Sequence, residues 1–260
     1  MKVTDHVYCR IGEHGTSNNG WILGNEYCVV VDTATFPDET REDIRAIQKT
    51  TDKDIKFLIN THYHPDHTFG NMYFSDIIGH VFCYEKLKEM TPIYLENVKN
   101  DTQNKERFQQ FLVRLPTLTF TDRITIHAEP DIDVLHQGGH TPGSAVVYIP
   151  GEKVLFSGDL LFAGSHPYMG DADITQWIKV LNGLFTLEIR FIVPGHGELC
   201  DTREITRHIT YLETFLSNLR DLKKKYSKEA LIEDPDLLNL PQIEKTERIC
   251  RNIEAQYDRV

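Results

Sequence analysis

The chain has 260 residues, of which 40% are hydrophobic and 26% charged, and a formal net charge of −11. That length and composition fit a globular protein with a core that needs no staples, and they exclude a disordered or fibrous chain. The acidic balance speaks against nucleic acid as a partner, since that needs a basic surface, and no run reaches the roughly 18 apolar residues of a membrane span.

The first residues, Met1-Lys2-Val3-Thr4-Asp5-His6, lack the apolar core of a signal peptide. Cys9, Cys28, Cys83, Cys200 and Cys250 are scattered with no CxxC pair, which predicts reduced thiols in a cytoplasmic protein. Residues 3–11 and 20–32 read as strands with a loop at 12–19 between them. Residues 38–49 fit an amphipathic helix with Ile44 and Ile47 facing inward. Residues 54–60 are the next strand, ending in the apolar run Phe57-Leu58-Ile59.

That strand leads into His62-Tyr63-His64-Pro65-Asp66-His67. Positions i and i+2 do not share a helical face, so this spacing calls for a tight loop at a strand end that turns several ligands inward. Imidazole and carboxylate are the usual protein ligands of zinc, and they also admit iron or manganese. The alternative is a His-rich surface loop.

Asp66 and His67 open a short helix ending near Phe74, and 76–84 adds a strand. Residues 85–116 break the rhythm. Met90, Ile93, Tyr94, Leu95, Phe108, Phe111 and Leu112 recur at roughly helical spacing, which predicts one or two inserted helices. These serve as core packing, as a cap over a site or as a homodimer contact. Strands return at 118–121, 123–127, 131–136, 144–149 and 153–157. A helix follows at 174–184 with Asp173 as N-cap, then a strand at 189–193.

Residues 203–225 form a long amphipathic helix, and the tail to 260 is helical, polar and broken at Pro235 and Pro241. The Lys223-Lys224-Lys225 run is a solvated helix C-terminus favoured by the helix dipole. Residues 1–260 thus read as one domain with a helical insertion near 85–116 and a C-terminal helical extension near 203–260. Two strand-rich halves, each ending in helix, suggest an α/β four-layer αββα sandwich.

Three further candidates each end a short apolar run among glycines or prolines: His140 in Gly138-Gly139-His140-Thr141-Pro142-Gly143, Asp159 in Phe156-Ser157-Gly158-Asp159, and His196 in Pro194-Gly195-His196-Gly197. Strand ends can converge on one sheet edge. Seven candidates are too many for one catalytic metal, which takes about three protein ligands and an open position, but they suit two metals with one shared carboxylate. Cys200 stands close to His196, but the other ligands already suffice.

This set, with Ser17-Asn18-Asn19-Gly20-Trp21 and Val29-Val30-Val31-Asp32-Thr33 upstream, resembles the metallo-β-lactamase-fold hydrolase superfamily over nearly the whole chain. The resemblance implies the αββα fold. It implies that His62, His64 and His140 hold one divalent metal, that Asp66, His67 and His196 hold a second, and that Asp159 bridges them. A bridging hydroxide would then attack a small ester, thioester, lactone or amide carbonyl, with Asp66 also passing a proton to the leaving group. Zinc fits the ligands best, with iron or manganese as alternatives. Asp32 is expected to hold the metal-loop backbone.

Within that superfamily, β-lactamases usually carry Cys or no residue at the bridge, so Asp159 makes β-lactam hydrolysis at most a weak activity. Asp159-Leu160-Leu161-Phe162 lacks the tyrosine of the quorum-quenching lactonases. No clear counterpart of the basic glutathione-binding motif of glyoxalase II occurs in 226–260, and His64 departs from the Glu of flavin-linked members. Phosphodiester cleavage with the same two-metal clamp, and a noncatalytic metal-binding protein, are the rivals. Gly143-Ser144 is not GxSxG, which speaks against a serine hydrolase, and Ser144 caps or lines the turn after His140. The loop Ser165-His166-Pro167-Tyr168-Met169-Gly170-Asp171 follows the bridging Asp, and His166 or Tyr168 is expected to line the pocket for a small-molecule substrate. His127 and His136 read as strand residues, and His6, His14, His80 and His208 as surface or packing residues.

Overall fold

The computed structural model describes residues 1–13, 16–241 and 246–260. His14 and part of the tail lie outside the described residues. Strands β1 (Val7–Arg10), β2 (Asn19–Leu23), β3 (Cys28–Val31), β4 (Ile55–Ile59), β5 (Ile77–His80) and β6 (Leu118–Phe120) form one sheet in that order. Its first three strands pair antiparallel and the rest parallel. Strands β7 (Arg123–His127), β8 (Asp131–His136), β9 (Ala145–Ile149), β10 (Val154–Phe162) and β11 (Phe191–His196) form the second sheet. There β10 and β11 run parallel and the other neighbours antiparallel.

The apolar pattern of the strands explains the layering. Val29 and Val31 of β3 point into a core shared with Val147, Ile149, Val154 and Phe156 of the other sheet. Their neighbours Cys28 and Val30 face the opposite way, onto Ile47 of helix α1 (Pro37–Thr50). Val146, Tyr148 and Leu155 face outward onto helices α4 (Ile174–Leu184), α5 (Thr202–Lys223), α6 (Lys228–Glu233) and α7 (Thr246–Gln256) through Trp177, Phe215, Leu231 and Ile253. Strands buried on both faces read as continuous apolar runs. Each large side chain taken from water there contributes about 1.5–3 kcal/mol. The result is the αββα sandwich. No helix among the described residues is long and apolar enough to cross a membrane.

Four expectations need correction. The stretch 20–32 is a hairpin, broken where Gly24 N–H donates to the Tyr27 carbonyl. Residues 81–84 are not strand: α3 (Val81–Asn100) starts there, capped by His80 Nδ1, which accepts the Phe82 N–H. The first strand is only the four residues of β1. Finally, β10 continues past 157, so Asp159 sits within it rather than beyond its end.

Helix α2 (Pro65–Thr68) passes into a 3₁₀ turn at Phe69–Tyr73. The inserted segment packs its Cys83, Leu87 and Tyr94, with Phe108 and Phe111 beside them, against Tyr63 of the His-rich loop and Phe69 of that turn. All five cysteines are free.

Candidate metal centre

Four chain segments meet at one edge of the sandwich. The loop after β4 brings His62, and α2 brings His64 as its N-cap residue, then Asp66 and His67. The β8–β9 turn brings His140, β10 brings Asp159 and the end of β11 brings His196. The β8–β9 turn is closed by Ser144, whose hydroxyl accepts the Thr141 N–H at 3.0 Å, the capping role expected for it. On β11, Asn18 Nδ2 donates to the carbonyls of Pro194 and Gly197, each at 2.8 Å, tying the N-terminal loop to that strand.

Two glycines make the convergence possible. Gly158 has φ +48°, and a Cβ there would lie 2.5 Å from Thr61 Oγ1. A Cβ on Gly195 would lie 1.9 Å from Asp159 Oδ1. Only glycine permits such approach.

The seven candidate ligands fall into two groups, His62–His64–His140–Asp159 and Asp66–His67–His196, with the ligand atoms of each group within 4.8 Å of one another. In the first, His64 Nδ1 lies 3.0 Å from His62 Nε2 and 3.1 Å from His140 Nε2. Asp159 Oδ2 lies 3.7 Å from His62 Nε2 and 3.5 Å from His140 Nε2. In the second, Asp66 Oδ2 lies 3.2 Å from His196 Nε2 and 3.6 Å from His67 Nε2. The other Asp159 oxygen, Oδ1, lies 3.1 Å from His67 Nε2 and 3.5 Å from His196 Nε2. The Asp159 carboxylate therefore gives one oxygen to each group.

These separations fit a bound cation. Bonds of about 2.1 Å in a tetrahedron place neighbouring ligand atoms about 3.4 Å apart. His67 Nε2 and Asp159 Oδ1, both buried, face each other at 3.1 Å without the alignment of a hydrogen bond, as two donors aimed at a common point would. The donor set is one that divalent metals take.

Electrostatics separates the two groups. Burial holds His62 well below its ordinary pKa and His140 at about 3, so both are neutral imidazoles. Burial works the same way on His196, but the Asp159 and Asp66 carboxylates outweigh it and raise His196 to about 9. His67 is raised by Asp159, Asp66 and Asp32 against its own burial. Asp159 and Asp66 stay ionised because the facing imidazoles outweigh their burial. The side chain of Asp66 is 28% exposed against 3% for Asp159, so the cluster opens to solvent on the Asp66 side.

A further layer orients the rings. Asp32 Oδ2 lies 2.9 Å from His67 Nδ1, and the same carboxylate accepts the Thr61 N–H and hydroxyl, each at 2.7 Å. This is the loop-holding role expected of Asp32. Asp171 Oδ2 lies 3.1 Å from His64 Nε2 and accepts the Tyr63 hydroxyl at 2.5 Å. Its bond with His64 is the main reason its carboxyl falls to about 2. Trp177 packs edge-on to His140, with centroids 5.1 Å apart, and Phe162 stacks on His196 at 4.9 Å. Asp171, Phe162 and Trp177 were not singled out from sequence. They belong to no motif and reach the centre only through the fold.

The two loop residues expected near substrate divide. The Tyr168 ring lies 5.5 Å from that of His64. His166 is 1% exposed, and its Nδ1 lies 2.7 Å from the Tyr211 hydroxyl of α5. Cys200 Sγ turns to the Ile192 carbonyl. His208 and His80 are buried packing residues, and His80 stacks on His136 with centroids 3.7 Å apart.

A family model described as the metallo-beta-lactamase superfamily matches residues 13–196. A linear primary-alkylsulfatase of Pseudomonas sp. is 26% identical over 216 residues, 69% of this chain, but this chain spans only 41% of that protein's length. An acyl-coenzyme A thioesterase, MBLAC2 of Homo sapiens, is 27% identical over 210 residues, 72% of this chain and 75% of that one. The crystal structure of the DIM-1 metallo-beta-lactamase superposes with a TM-score of 0.64 at 22% identity, covering 82% of this chain and 95% of that one.

Proposed function

This chain belongs to the metallo-beta-lactamase superfamily, and on that premise we propose that it is a dinuclear metal-dependent hydrolase of small ester, thioester, lactone or amide carbonyls. The observation that carries the proposal is the division of the Asp159 oxygens between the two ligand groups. His62, His64 and His140 would hold one ion, Asp66, His67 and His196 the other, and Asp159 would join them. Divalent ions held there, zinc by the ligand types, would supply a water ionised near neutral pH and a Lewis acid toward the carbonyl oxygen. The similarity to a protein named as an acyl-coenzyme A thioesterase supports the carbonyl class.

The chain's own groups do the rest. The Asp66 carboxylate, ionised and on the open side, would pass a proton to the leaving group. Asp32 and Asp171 fix the rings of His67 and His64. Tyr168, beside His64, forms part of the wall met by substrate. His166, braced on Tyr211, serves instead to hold that loop.

The similarity to a protein named as an alkylsulfatase favours one second reading, cleavage of an anionic ester with the same pair of metal sites. Hydrolysis of p-nitrophenyl acetate, bis-p-nitrophenyl phosphate and an alkyl sulfate, each compared with a His64→Ala variant, separates the two. Turnover of the acetate that His64→Ala abolishes supports the carbonyl reading. Turnover confined to the phosphate or sulfate ester replaces it with the second. Activity no higher than that of the variant on every substrate means a noncatalytic metal-binding protein.

A further inference from the structure

The loop that follows β10 is tied at both ends to segments that carry candidate ligands. The Ala163 N–H donates to the His196 carbonyl at 2.9 Å, and the Asp173 N–H to the Gly139 carbonyl at 3.0 Å. Between those anchors, residues 164–172 run in turns and bends rather than in helix or strand. Backbone polar groups buried in such a segment still need partners. Helix α7, which lies beyond the 13–196 stretch that matches the family, supplies them from its side chains.

Arg248, Asn252 and Gln256 stand four residues apart on α7 and so share one face. Arg248 Nη1 donates to the His166 carbonyl at 2.9 Å. Asn252 Nδ2 donates to the Pro167 carbonyl at 2.7 Å, and Asn252 Oδ1 accepts the Met169 N–H at 2.8 Å. One amide thus grips the backbone on both sides of Tyr168. Gln256 Nε2 donates to the Met169 carbonyl at 2.6 Å and to the Ala172 carbonyl at 3.1 Å, so it spans Gly170 and Asp171. Both amides are buried. Tyr168 and Asp171 in turn reach His64, the first by its ring at 5.5 Å and the second by its carboxylate at 3.1 Å.

We infer that Asn252 and Gln256 are positioning residues of the metal centre, which hold the Asp171 carboxylate on His64 by fixing the loop backbone around it. The inference rests on the reading of His64 as a metal ligand. A neutral amide offers both donors and an acceptor, so it fixes the loop without placing a further charge beside the candidate ligands. With the loop released, Asp171 no longer holds Nε2, and the ring that presents Nδ1 to the cluster loses its orientation. The test uses the full chain and compares Gln256→Met, which keeps the length of the side chain but removes its donor, with Asp171→Ala and with the double variant. Asn252→Ala, which breaks the neighbouring grip, is the second variant should Gln256→Met fail to fold.

In a competitive chelator titration with zinc, Gln256→Met is expected to weaken the same single binding step as Asp171→Ala, by about three- to tenfold. The double variant is expected to bind no worse than Asp171→Ala alone, because both changes act on one contact. Additive losses in the double variant, or weakening of both steps or of neither, overturn the inference. Nitrogen–proton NMR of the histidine rings in the metal-free protein keeps the two readings apart. His64 is expected as the Nε2–H tautomer in the wild type and to lose that preference in Gln256→Met as it does in Asp171→Ala. That change supports the positioning role even if no metal binds, in which case only the metal reading falls. A wild-type His64 signal in folded Gln256→Met overturns the positioning role whatever the metal content.

Discussion

The Asp171 carboxylate meets His64 at Nε2, 3.1 Å away, the ring nitrogen opposite the one that faces His62 and His140. That contact fixes the tautomer, leaving Nδ1 with its lone pair toward the ligand cluster. Carboxylates placed this way behind a ligating imidazole typically contribute a factor of about 10–100 in metal affinity. Asp171→Ala is therefore expected to weaken one of two metal-binding steps by about that factor in a competitive chelator titration, with the other step unchanged. Equal weakening of both steps, or of neither, would show that Asp171 does not act through His64.

Gly195 supplies a steric prediction. A Cβ at that position would stand 1.9 Å from Asp159 Oδ1, well inside any contact distance. Gly195→Ala must displace the carboxylate that both ligand groups share. The variant is expected to fold, with a stability loss of about 1–3 kcal/mol from overpacking, and to lose most bound metal. Full metal occupancy by elemental analysis would contradict the placement of Asp159.

Tyr168 tests the substrate wall. Its ring stands beside His64, and we expect Tyr168→Phe to lower kcat/KM on the best carbonyl substrate by about three- to tenfold, the range of one modest hydrogen bond. An unchanged kcat/KM removes any role for the hydroxyl.

His208 carries the pH prediction. Burial depresses its folded pKa to about 3, with Asp159 opposing weakly. An imidazole whose folded pKa is depressed stays neutral in the fold while the unfolded chain takes up a proton near pH 6.5. The stability it contributes is present above that pH and is lost as pH falls toward 3, by about 1.4 kcal/mol per pH unit. Chemical denaturation of His208→Leu should show a shallower loss between pH 6.5 and 4.5 than the wild type. Parallel curves would mean that His208 is already solvated in the native state.

The candidate ligands were legible because their chemistry is local: His62 to His67 fall within one short segment, and His140, Asp159 and His196 each stand next to a glycine. The two-sheet architecture was legible for the same reason, since strands buried on both faces are apolar throughout. What surrounds the centre was not. Asp171 reaches His64, Phe162 reaches His196 and Trp177 reaches His140 only because β10, α4 and the loop between them are folded against the His-rich loop. The His80 cap that ends β5 and starts α3 was hidden too. Val81 and Phe82 continue the apolar pattern of the strand, and a local cap overrode it. His208, read only as surface or packing, proves to be wedged between Phe162 and Trp177.

Whether Asp159 joins two metal ions is decided by elemental analysis of the purified protein beside Asp159→Ala. About two divalent ions per chain are expected in the wild type and one or fewer in the variant. One ion or none per chain, unchanged by the substitution, would contradict the bridge and the hydrolytic mechanism built on it.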